Sequence, residues 1–426
     1  MAVIQVEENW TQKPVDRRIF GNFIESGFGR QVNGMWSEML YNRAFRDVPA
    51  IKIATWEWLG LDKEHYNSEA PFWHSGYEEN DWQLIGAPER SHTCGTHTHK
   101  GTTSLLLENR DGGECGLKQE GLHLKKGKRY RFRLFAGIRG DMSEAGLNGF
   151  GDTIHTEEEE KLTVKIGKQQ TCFSLTSVPR LYEWEWEARE DEITDIRITF
   201  TFRGTLVLTF ASLMPDDNLG GWRADVVEKL KEASPSVVRF PGGCFVSFYN
   251  WESSIGDRDT REPQPSFYWG GLEENDVGLD EFLLLSRLVG FEPQICFNMM
   301  TSDPFKARQL VEYLNAPETV GMGRRRMLNG NPEPYGVRLF EMDNEPGRKW
   351  TARQYAQKCV EFAREMRLAD PGIELMLAAY AYDPELLPMM LEIAGKEIQY
   401  VIYRQGNPEF VHQILPVIRE YNRKNG

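Results

Sequence analysis

The chain has 426 residues, with 50 Lys and Arg against 64 Asp and Glu, and therefore a formal net charge of −14. This length allows two or three domains that each bury a core. An acidic chain without a basic stripe repels a phosphate backbone, so we expect no nucleic-acid partner. No apolar run reaches the roughly 18 to 20 residues of a membrane helix, and the first residues lack a signal-peptide pattern. We therefore expect a cytoplasmic protein with no membrane association.

The cysteine and histidine patterns argue against a metal site. Six cysteines are scattered along the chain without a Cys-x-x-Cys pair, which indicates free thiols rather than a zinc site or a disulfide framework. His92, His97 and His99 alternate along one stretch, but no acidic or thiolate partner stands at a defined spacing. We expect no bound metal.

The first part of the chain predicts one strand followed by an all-β insertion. Residues 17–25 (RRIFGNFIE) predict a first strand that ends in a loop. Residues 47–213 alternate apolar and polar side chains in short runs separated by turn signals, which is typical of an antiparallel sandwich. Six tryptophans of the insertion could form a polysaccharide platform or fill its core, and the sequence leaves both readings open. They are Trp56, Trp58, Trp73, Trp82, Trp184 and Trp186.

The second half alternates short β-branched runs with segments of helical period, the pattern of βαβ units around a parallel sheet. The predicted strands are residues 237–240, 294–298, 336–342, 374–380 and 399–403. The predicted helices are residues 223–232, 279–289, 305–314, 352–368, 384–394 and 408–422. With the first strand these make six strand–helix units, whereas a closed (β/α)₈ barrel has eight.

The carboxyl ends of the predicted strands carry candidate catalytic groups. Glu25 ends the first strand, and Asn344-Glu345-Pro346 follows the run VRLFEMD. Reacting groups of parallel barrels stand at these ends. Paired carboxylates in an aromatic-rich cleft can hydrolyse glycosides: one protonates the leaving oxygen, and the other attacks the sugar or activates water. A strand-end Glu can equally be a solvated loop residue, so this pattern alone decides nothing.

Longer segments resemble a known family. RFPGGCFVSFYNWESSIGDRDTR, EENDVGLDEF, GFEPQICFN and FEMDNEPGRKW are similar to the α-L-arabinofuranosidases of glycoside hydrolase family 51, members of the retaining (β/α)₈ clan. IFGNFIESGFGRQVNGMWSEMLYNRAF resembles the family's first strand and loop. FASLMPDDNLGGWRADVVEKL resembles the junction at which an inserted carbohydrate-binding-like jelly roll returns to the barrel. The resemblance implies a TIM barrel, six units of it present, divided as residues 1–46, the insert 47–213 and the remainder 214–426.

The resemblance implies roles for particular residues. Glu345 matches the general acid/base at the end of strand four, and Asn344 matches the amide that bonds the sugar 2-hydroxyl. Glu25 then corresponds to a carboxylate that holds arabinose hydroxyls, although a salt bridge to Arg30 or Arg239 is the alternative.

Three further residues are implied to shape the pocket. Arg239 would brace the site through charge-assisted bonds to its carboxylates. Cys244 stands where the family usually has an Asn that contacts the sugar, and a thiol is a weaker hydrogen-bonding group. Tyr403 lies near the position of a strand-six His or Tyr that lines the same pocket.

The function implied by the resemblance is that of a retaining exo-α-L-arabinofuranosidase acting on arabino-oligosaccharides or arabinoxylan fragments, with no cofactor. In this clan the nucleophilic Glu ends strand seven, which we expect beyond residue 426, so the 426 residues would be an inactive fragment. The alternatives are an endo-β-glucanase of the same family and a non-catalytic carbohydrate-binding protein. Since family members often form hexamers, a homo-oligomer is also possible.

Overall fold

The computed structural model describes residues 16–26, 31–47, 82–93, 102–139, 159–266, 269, 272–378, 384–403 and 408–425. The predictions for Trp56, Trp58, Trp73, His97 and His99 lie outside these ranges. The strands are β1 (Asn22–Phe23), β2 (Gln83–Ile85), β3 (Glu89–Thr93), β4 (Ser104–Asn109), β5 (Cys115–Leu124), β6 (Arg129–Arg139), β7 (Glu160–Ile166), β8 (Gln169–Leu175), β9 (Arg180–Glu187), β10 (Glu192–Phe200), β11 (Gly204–Pro215), β12 (Val237–Phe240), β13 (Gln264–Pro265), β14 (Leu272–Glu273), β15 (Glu292–Phe297), β16 (Leu339–Met342), β17 (Glu374–Ala378) and β18 (Tyr400–Ile402). The α-helices are α1 (Gln31–Met35), α2 (Ala224–Ala233), α3 (Leu279–Val289), α4 (Pro304–Asn315), α5 (Gly321–Leu328), α6 (Ala352–Ala369), α7 (Leu387–Ala394) and α8 (Pro408–Asn425).

A six-stranded parallel sheet forms the α/β part of the molecule. Its strand order is β1-β12-β15-β16-β17-β18, so strands that follow one another in the chain become neighbours in the sheet once the insertion and the small β13–β14 hairpin are set aside. Helices α3 to α7 lie in the connections between β12 and β18. Parallel strands joined by helices in this order build the wall of a barrel. The predicted alternation of strands and helices is confirmed.

The strands bury both faces, as parallel strands do. In β12, Val238 and Phe240 join the large core shared with the helices, whereas Val237 points to the other face and packs with Leu339 and Met376. This alternation carries Arg239 to the same face as Val237.

The helices begin and end at recognisable local signals. Asp303 accepts a hydrogen bond from the backbone N–H of Lys306 at 2.9 Å, and Pro304 occupies the first position of α4. Thr351 and Gln354 form a capping box at the start of α6, and Gly290 ends α3 with a φ of 94°. Helices α2, α3, α4 and α6 lie within one residue of their predicted bounds, whereas α7 begins three residues later and α8 ends three residues later than predicted.

The insertion forms two five-stranded antiparallel sheets, ordered β2-β5-β10-β7-β8 and β3-β4-β11-β6-β9. Residues of both sheets share one hydrophobic core. Trp82, Trp184 and Trp186 belong to this core or pack against it, and the rings of Trp184 and Trp186 stack 4.2 Å apart. For these three tryptophans the structure favours core packing over a polysaccharide platform.

Several elements differ from the prediction, among them the first strand and helix α5. The strand predicted at residues 17–25 is a 3₁₀ turn at Arg17–Ile19 followed by only two residues of β1, because the Asp16 side chain caps the turn. Helix α5 was not predicted, since its sequence GMGRRRML lacks an apolar stripe. It is held instead by buried Arg326, whose guanidinium donates to the carbonyl of Tyr313 at 2.6 Å.

Within the described ranges, none of the helices combines the length and the apolar character needed to cross a bilayer.

Candidate active site

The carboxyl ends of β1, β12, β15 and β16 lie side by side at one edge of the parallel sheet. Glu25 follows β1, Cys244 follows β12, Asn298 follows β15 and Glu345 follows β16. Adjacent parallel strands therefore deliver the candidate groups to a common region, as expected for α/β folds.

Three of the predicted residues contact one another. The Cys244 thiol donates to Oε2 of Glu345 at 3.5 Å, and Nδ2 of Asn344 donates to the Cys244 sulfur, also at 3.5 Å. Glu345 is half-buried, while Asn344 is almost fully buried. The thiol thus links the proposed acid/base to the amide that is predicted to bind the sugar.

Asp343 is a site residue to which the sequence analysis gave no role. Its carboxylate is fully buried and accepts hydrogen bonds from the backbone N–H groups of Met299 and Met300 at 2.8 and 2.9 Å and from the Ser247 hydroxyl at 2.7 Å. It also accepts from the backbone N–H of Asn344 at 2.7 Å. These bonds join the chain after β12, β15 and β16, and so fix the backbone from which Asn344 and Glu345 project.

Glu25 lies in a close-packed pocket. Its carboxylate accepts from the backbone N–H of Phe245 at 3.0 Å and from the indole N–H of Trp269 at 3.1 Å. Burial raises the pKa of Glu25, while these two donors, the Gly243 backbone and the charge of Arg239 act in the opposite direction. A carboxylate with such donors is held in a fixed orientation.

The Pro-Gly-Gly sequence before Cys244 explains how Glu25 fits. Gly242 has a φ of 132°, and a Cβ atom added there would lie 2.3 Å from Cγ of Glu25. Only glycine allows the backbone after β12 to approach Glu25 so closely.

Arg239 is bound chiefly to Glu341, which the sequence analysis did not single out. Its Nη1 donates to both carboxylate oxygens of Glu341 at 2.8 and 3.0 Å, and Gln294 donates to one of them at 2.8 Å. Burial disfavours the charged form of Arg239 and lowers its pKa. The negative charge of Glu341 and the hydrogen bond to it have the larger effect, and the pKa of Arg239 is therefore raised. Glu25 adds a weaker electrostatic attraction to Arg239. Arg239 therefore lies close to the predicted site, but the carboxylate that it binds directly is that of Glu341.

Tyr403 is placed differently from the other predicted residues. It follows β18 and packs with Leu387, Leu391 and Ile414, and its ring lies 6.0 Å from that of Phe410. These contacts are with α7 and α8. Its role as a substrate contact remains a prediction.

The tryptophans of the α/β part separate into two groups. Trp36 packs edge-on against Trp222, Trp251 packs against Tyr313, and Trp350 stacks on Tyr355. Trp269 instead donates to Glu25. The structure therefore connects Trp269 with the candidate site, whereas the ring contacts of Trp36, Trp251 and Trp350 are with other aromatic side chains.

No group of three or more His, Cys, Asp or Glu side chains within the described residues is arranged to hold a metal ion. His92 contacts the carbonyl oxygen of Phe45 at 2.7 Å and lies 3.4 Å from an oxygen of Asp47.

Comparison with known proteins extends the resemblance seen in the sequence. The family model described as Alpha-L-arabinofuranosidase 1 domain matches residues 229–422. Alpha-L-arabinofuranosidase C of Emericella nidulans is 38% identical over 169 residues, which cover 38% of this chain and 33% of the relative. The intracellular exo-alpha-(1->5)-L-arabinofuranosidase of Streptomyces lividans is 35% identical over 169 residues, covering 38% of this chain and 26% of the relative.

Among solved structures, the alpha-L-arabinofuranosidase of Thermotoga maritima in complex with arabinose shares 30% identity, with coverage of 48% of this chain and 47% of that one and a TM-score of 0.45. The chain spans about a third of the length of the curated relative from Emericella nidulans. The matched residues 229–422 include the predicted site residues from Arg239 to Tyr403. The family model and the curated relatives confirm that the chain is similar to the alpha-L-arabinofuranosidases, over residues 229–422 in the case of the family model.

Proposed function

We propose that the protein containing this chain is a retaining exo-α-L-arabinofuranosidase that releases terminal arabinofuranose from arabino-oligosaccharides or arabinoxylan fragments. The observation that carries the proposal is the cluster of Glu345, Cys244 and Asn344 at the carboxyl ends of adjacent parallel strands. Glu25, oriented by two donors, lies at the end of the neighbouring strand β1. The family match and the arabinofuranosidase activity named for the relatives supply the substrate class.

In this proposal Glu345 first acts as an acid and protonates the glycosidic oxygen as the bond to the leaving group breaks. It then acts as a base and takes a proton from the water that releases arabinose. The half-buried position of Glu345 suits both steps, because the side chain is held by protein on one side and accessible on the other. Asn344 would bond the sugar 2-hydroxyl, and Glu25 would accept bonds from other sugar hydroxyls.

A retaining mechanism needs a nucleophilic carboxylate roughly 5 to 5.5 Å from the acid/base. We propose that this group is a Glu beyond residue 426, at the end of a seventh strand, and that two further units close the six-stranded sheet into a (β/α)₈ barrel. The bonding of the other buried carboxylates supports this assignment. Asp343 already accepts hydrogen bonds from four protein donors, and Glu341 already pairs with Arg239, so both carboxylates are engaged within the protein.

The proposal includes the architecture around the site. Residues 1–46 and 214–426 would form the catalytic barrel, and residues 47–213 a jelly roll of the carbohydrate-binding type, which the two antiparallel sheets sharing one core support. We also propose a cytoplasmic protein, supported by the Streptomyces lividans relative described as intracellular. Assembly into a homo-oligomer is the remaining part of the proposal.

The test is the Glu345→Gln variant of the intact protein, assayed on aryl arabinofuranosides with good and poor leaving groups. Loss of the acid should lower kcat/KM for poor leaving groups by about 10²- to 10⁴-fold and spare activated leaving groups more, because these depart without a proton. Glu361→Gln, which changes an exposed Glu paired with Lys358 on α6, is the matched control and should retain activity. Equal losses on both substrate types would contradict the assignment of Glu345.

A further inference from the structure

The turn that follows β16 has an uncommon backbone conformation. Asp343 has a φ of 64° and Glu345 a φ of 47°, so both lie in the left-handed region. Residues other than glycine rarely adopt this region, and Asp does so more readily than most because its short side chain bonds to nearby backbone groups. Oδ1 of Asp343 accepts such a bond from the N–H of Asn344 at 2.7 Å. The turn that bears Glu345 is therefore supported by the side chain of Asp343.

The hydrogen bonds of Asp343 suit a carboxylate and no other group of its size. Oδ1 accepts from the Ser247 hydroxyl and the Asn344 N–H, both at 2.7 Å. Oδ2 accepts from the backbone N–H groups of Met299 and Met300 at 2.8 and 2.9 Å. An asparagine would turn its NH₂ group toward at least one of these backbone donors, whichever way its amide is oriented. A buried N–H would then lose its acceptor, which is costly to the local structure.

The donors to Asp343 come from loops that are also bonded to each other. Ser247 belongs to the 3₁₀ segment Cys244–Phe248, which begins with the thiol of the candidate site. Met299 and Met300 follow β15, and the next residue, Thr301, donates its hydroxyl to the carbonyl of Ser247 at 3.0 Å. Asp343 thus joins the turn after β16 to a connected pair of loops after β12 and β15.

The groups that meet in the candidate site project from the segments that Asp343 joins. The Cys244 thiol lies 3.5 Å from Oε2 of Glu345 and 3.5 Å from Nδ2 of Asn344. Contacts through sulfur are weak and cannot by themselves hold two loops together. The four stronger bonds of Asp343, made out of contact with water, are suited to that task.

We propose that Asp343 is a positioning residue of the arabinofuranosidase site, whose carboxylate holds the turn of Glu345 against the segment of Cys244. The proposal rests on the proposed function, because it assigns proton transfer to Glu345. Asp343 is fully buried, and in this proposal it does not touch the sugar. Its effect is on the efficiency with which Glu345 protonates the leaving oxygen.

The first readout is kcat/KM of the intact protein on aryl arabinofuranosides with good and poor leaving groups. Asp343→Asn should lower kcat/KM for poor leaving groups by about 10- to 100-fold, because a displaced acid transfers its proton less efficiently. The loss for activated leaving groups should be at least about threefold smaller, since these depart without a proton. A fall in the folded fraction would lower both values equally, so the ratio of the two isolates positioning.

The second readout does not depend on turnover. It is the rate at which iodoacetamide alkylates Cys244 in the intact protein, measured by mass spectrometry of the peptide that contains it. Cys244 is half-buried, and release of its segment in Asp343→Asn should raise this rate by at least about threefold. Cys296 and Cys359 are buried and should keep their low rates, whereas general unfolding would expose them as well.

Two further variants complete the experiment. Ser247→Ala removes one of the four donors and should change both readouts in the same direction by a smaller factor, so it tests the proposal even if Asp343→Asn fails to fold. Asp280→Asn is the matched control. It changes a carboxyl group on α3 that is bonded to Tyr313 and Tyr335, and it should leave both readouts unchanged.

The outcomes separate this proposal from the proposed function. An unchanged leaving-group ratio or an unchanged Cys244 rate in both Asp343→Asn and Ser247→Ala would overturn it, as would an equal effect of Asp280→Asn. If the intact protein does not hydrolyse arabinofuranosides, the proposed function fails, whereas the Cys244 rate still decides whether Asp343 holds the two segments together.

Discussion

At the scale of single residues, Cys244 forms hydrogen bonds with both Asn344 and Glu345 of the candidate site. Its sulfur lies 3.5 Å from both Asn344 Nδ2 and Glu345 Oε2. A thiol is a weak donor and acceptor, so these bonds stabilise the site less than an amide in the same place would. The half-buried position of Cys244 leaves the sulfur reachable by small reagents.

Alkylation should therefore identify Cys244 as part of the sugar site. We expect iodoacetamide to weaken L-arabinose binding by at least about tenfold, because the added group occupies space beside Glu345, and we expect arabinose to protect the thiol. Cys244→Ala should bind arabinose and resist the reagent. Cys172→Ala, which removes an exposed thiol, should remain sensitive. Sensitivity that persists in Cys244→Ala would place the reactive group elsewhere.

The residues of the site differ in how far the sequence could reveal them. Glu345, Asn344 and Glu25 stand in motifs at strand ends, where function is expected. Asp343 and Glu341 belong to the same short stretch, but their roles depend on which strands become neighbours. Asp343 receives donors from the chain after β12 and β15, and Glu341 pairs with Arg239 of β12. Such partners are set by the sheet and not by spacing along the chain.

At the scale of elements, the β13–β14 hairpin and helix α5 show where pattern reading fails. The hairpin has two residues in each strand, too few to display an alternation. Helix α5 is stabilised by a buried arginine, which a search for apolar periodicity does not detect. Helices α3, α4 and α6 have capping signals and apolar faces, and their bounds were predicted within one residue.

The hairpin should make the stability of the fold depend on pH. The pKa of Glu273 is raised from 4.5 to about 7, so its protonated form favours the folded state and its contribution is complete below about pH 4.5. This contribution is lost as the pH rises through 7. We expect the free energy of unfolding to fall by up to about 3 kcal/mol from this group between pH 5 and pH 8.

Urea unfolding of the original chain and of Glu273→Gln, at intervals between those two pH values, measures this contribution. The glutamine cannot ionise, so the difference in stability between the two chains should change across the interval in favour of Glu273→Gln. If the unfolding free energies of the two chains changed with pH in the same way, Glu273 would not titrate in this range.

At the scale of the whole molecule, the described residues form a six-stranded parallel sheet with the candidate site at its carboxyl edge, and a two-sheet insertion packs beside it. Arg133 of β6 bonds Asp259 at 2.7 Å, and Arg43 bonds the same carboxylate, so a buried ion network joins the insertion to the loops near the hairpin. The sequence predicted both parts and their order in the chain. It could not predict this network, because its charged residues come from distant segments that meet only in the folded protein.

The central claim is that Glu345 is the acid/base of an arabinofuranosidase, and azide rescue of Glu345→Ala in the intact protein tests it most directly. Azide needs no general base and fits the space that the removed side chain leaves, so it should replace water in attacking the glycosyl-enzyme intermediate. We predict that azide raises the turnover of an activated aryl arabinofuranoside by at least about tenfold and yields an arabinofuranosyl azide with the substrate's anomeric configuration. Absence of rescue, or an azide product of inverted configuration, would contradict the account.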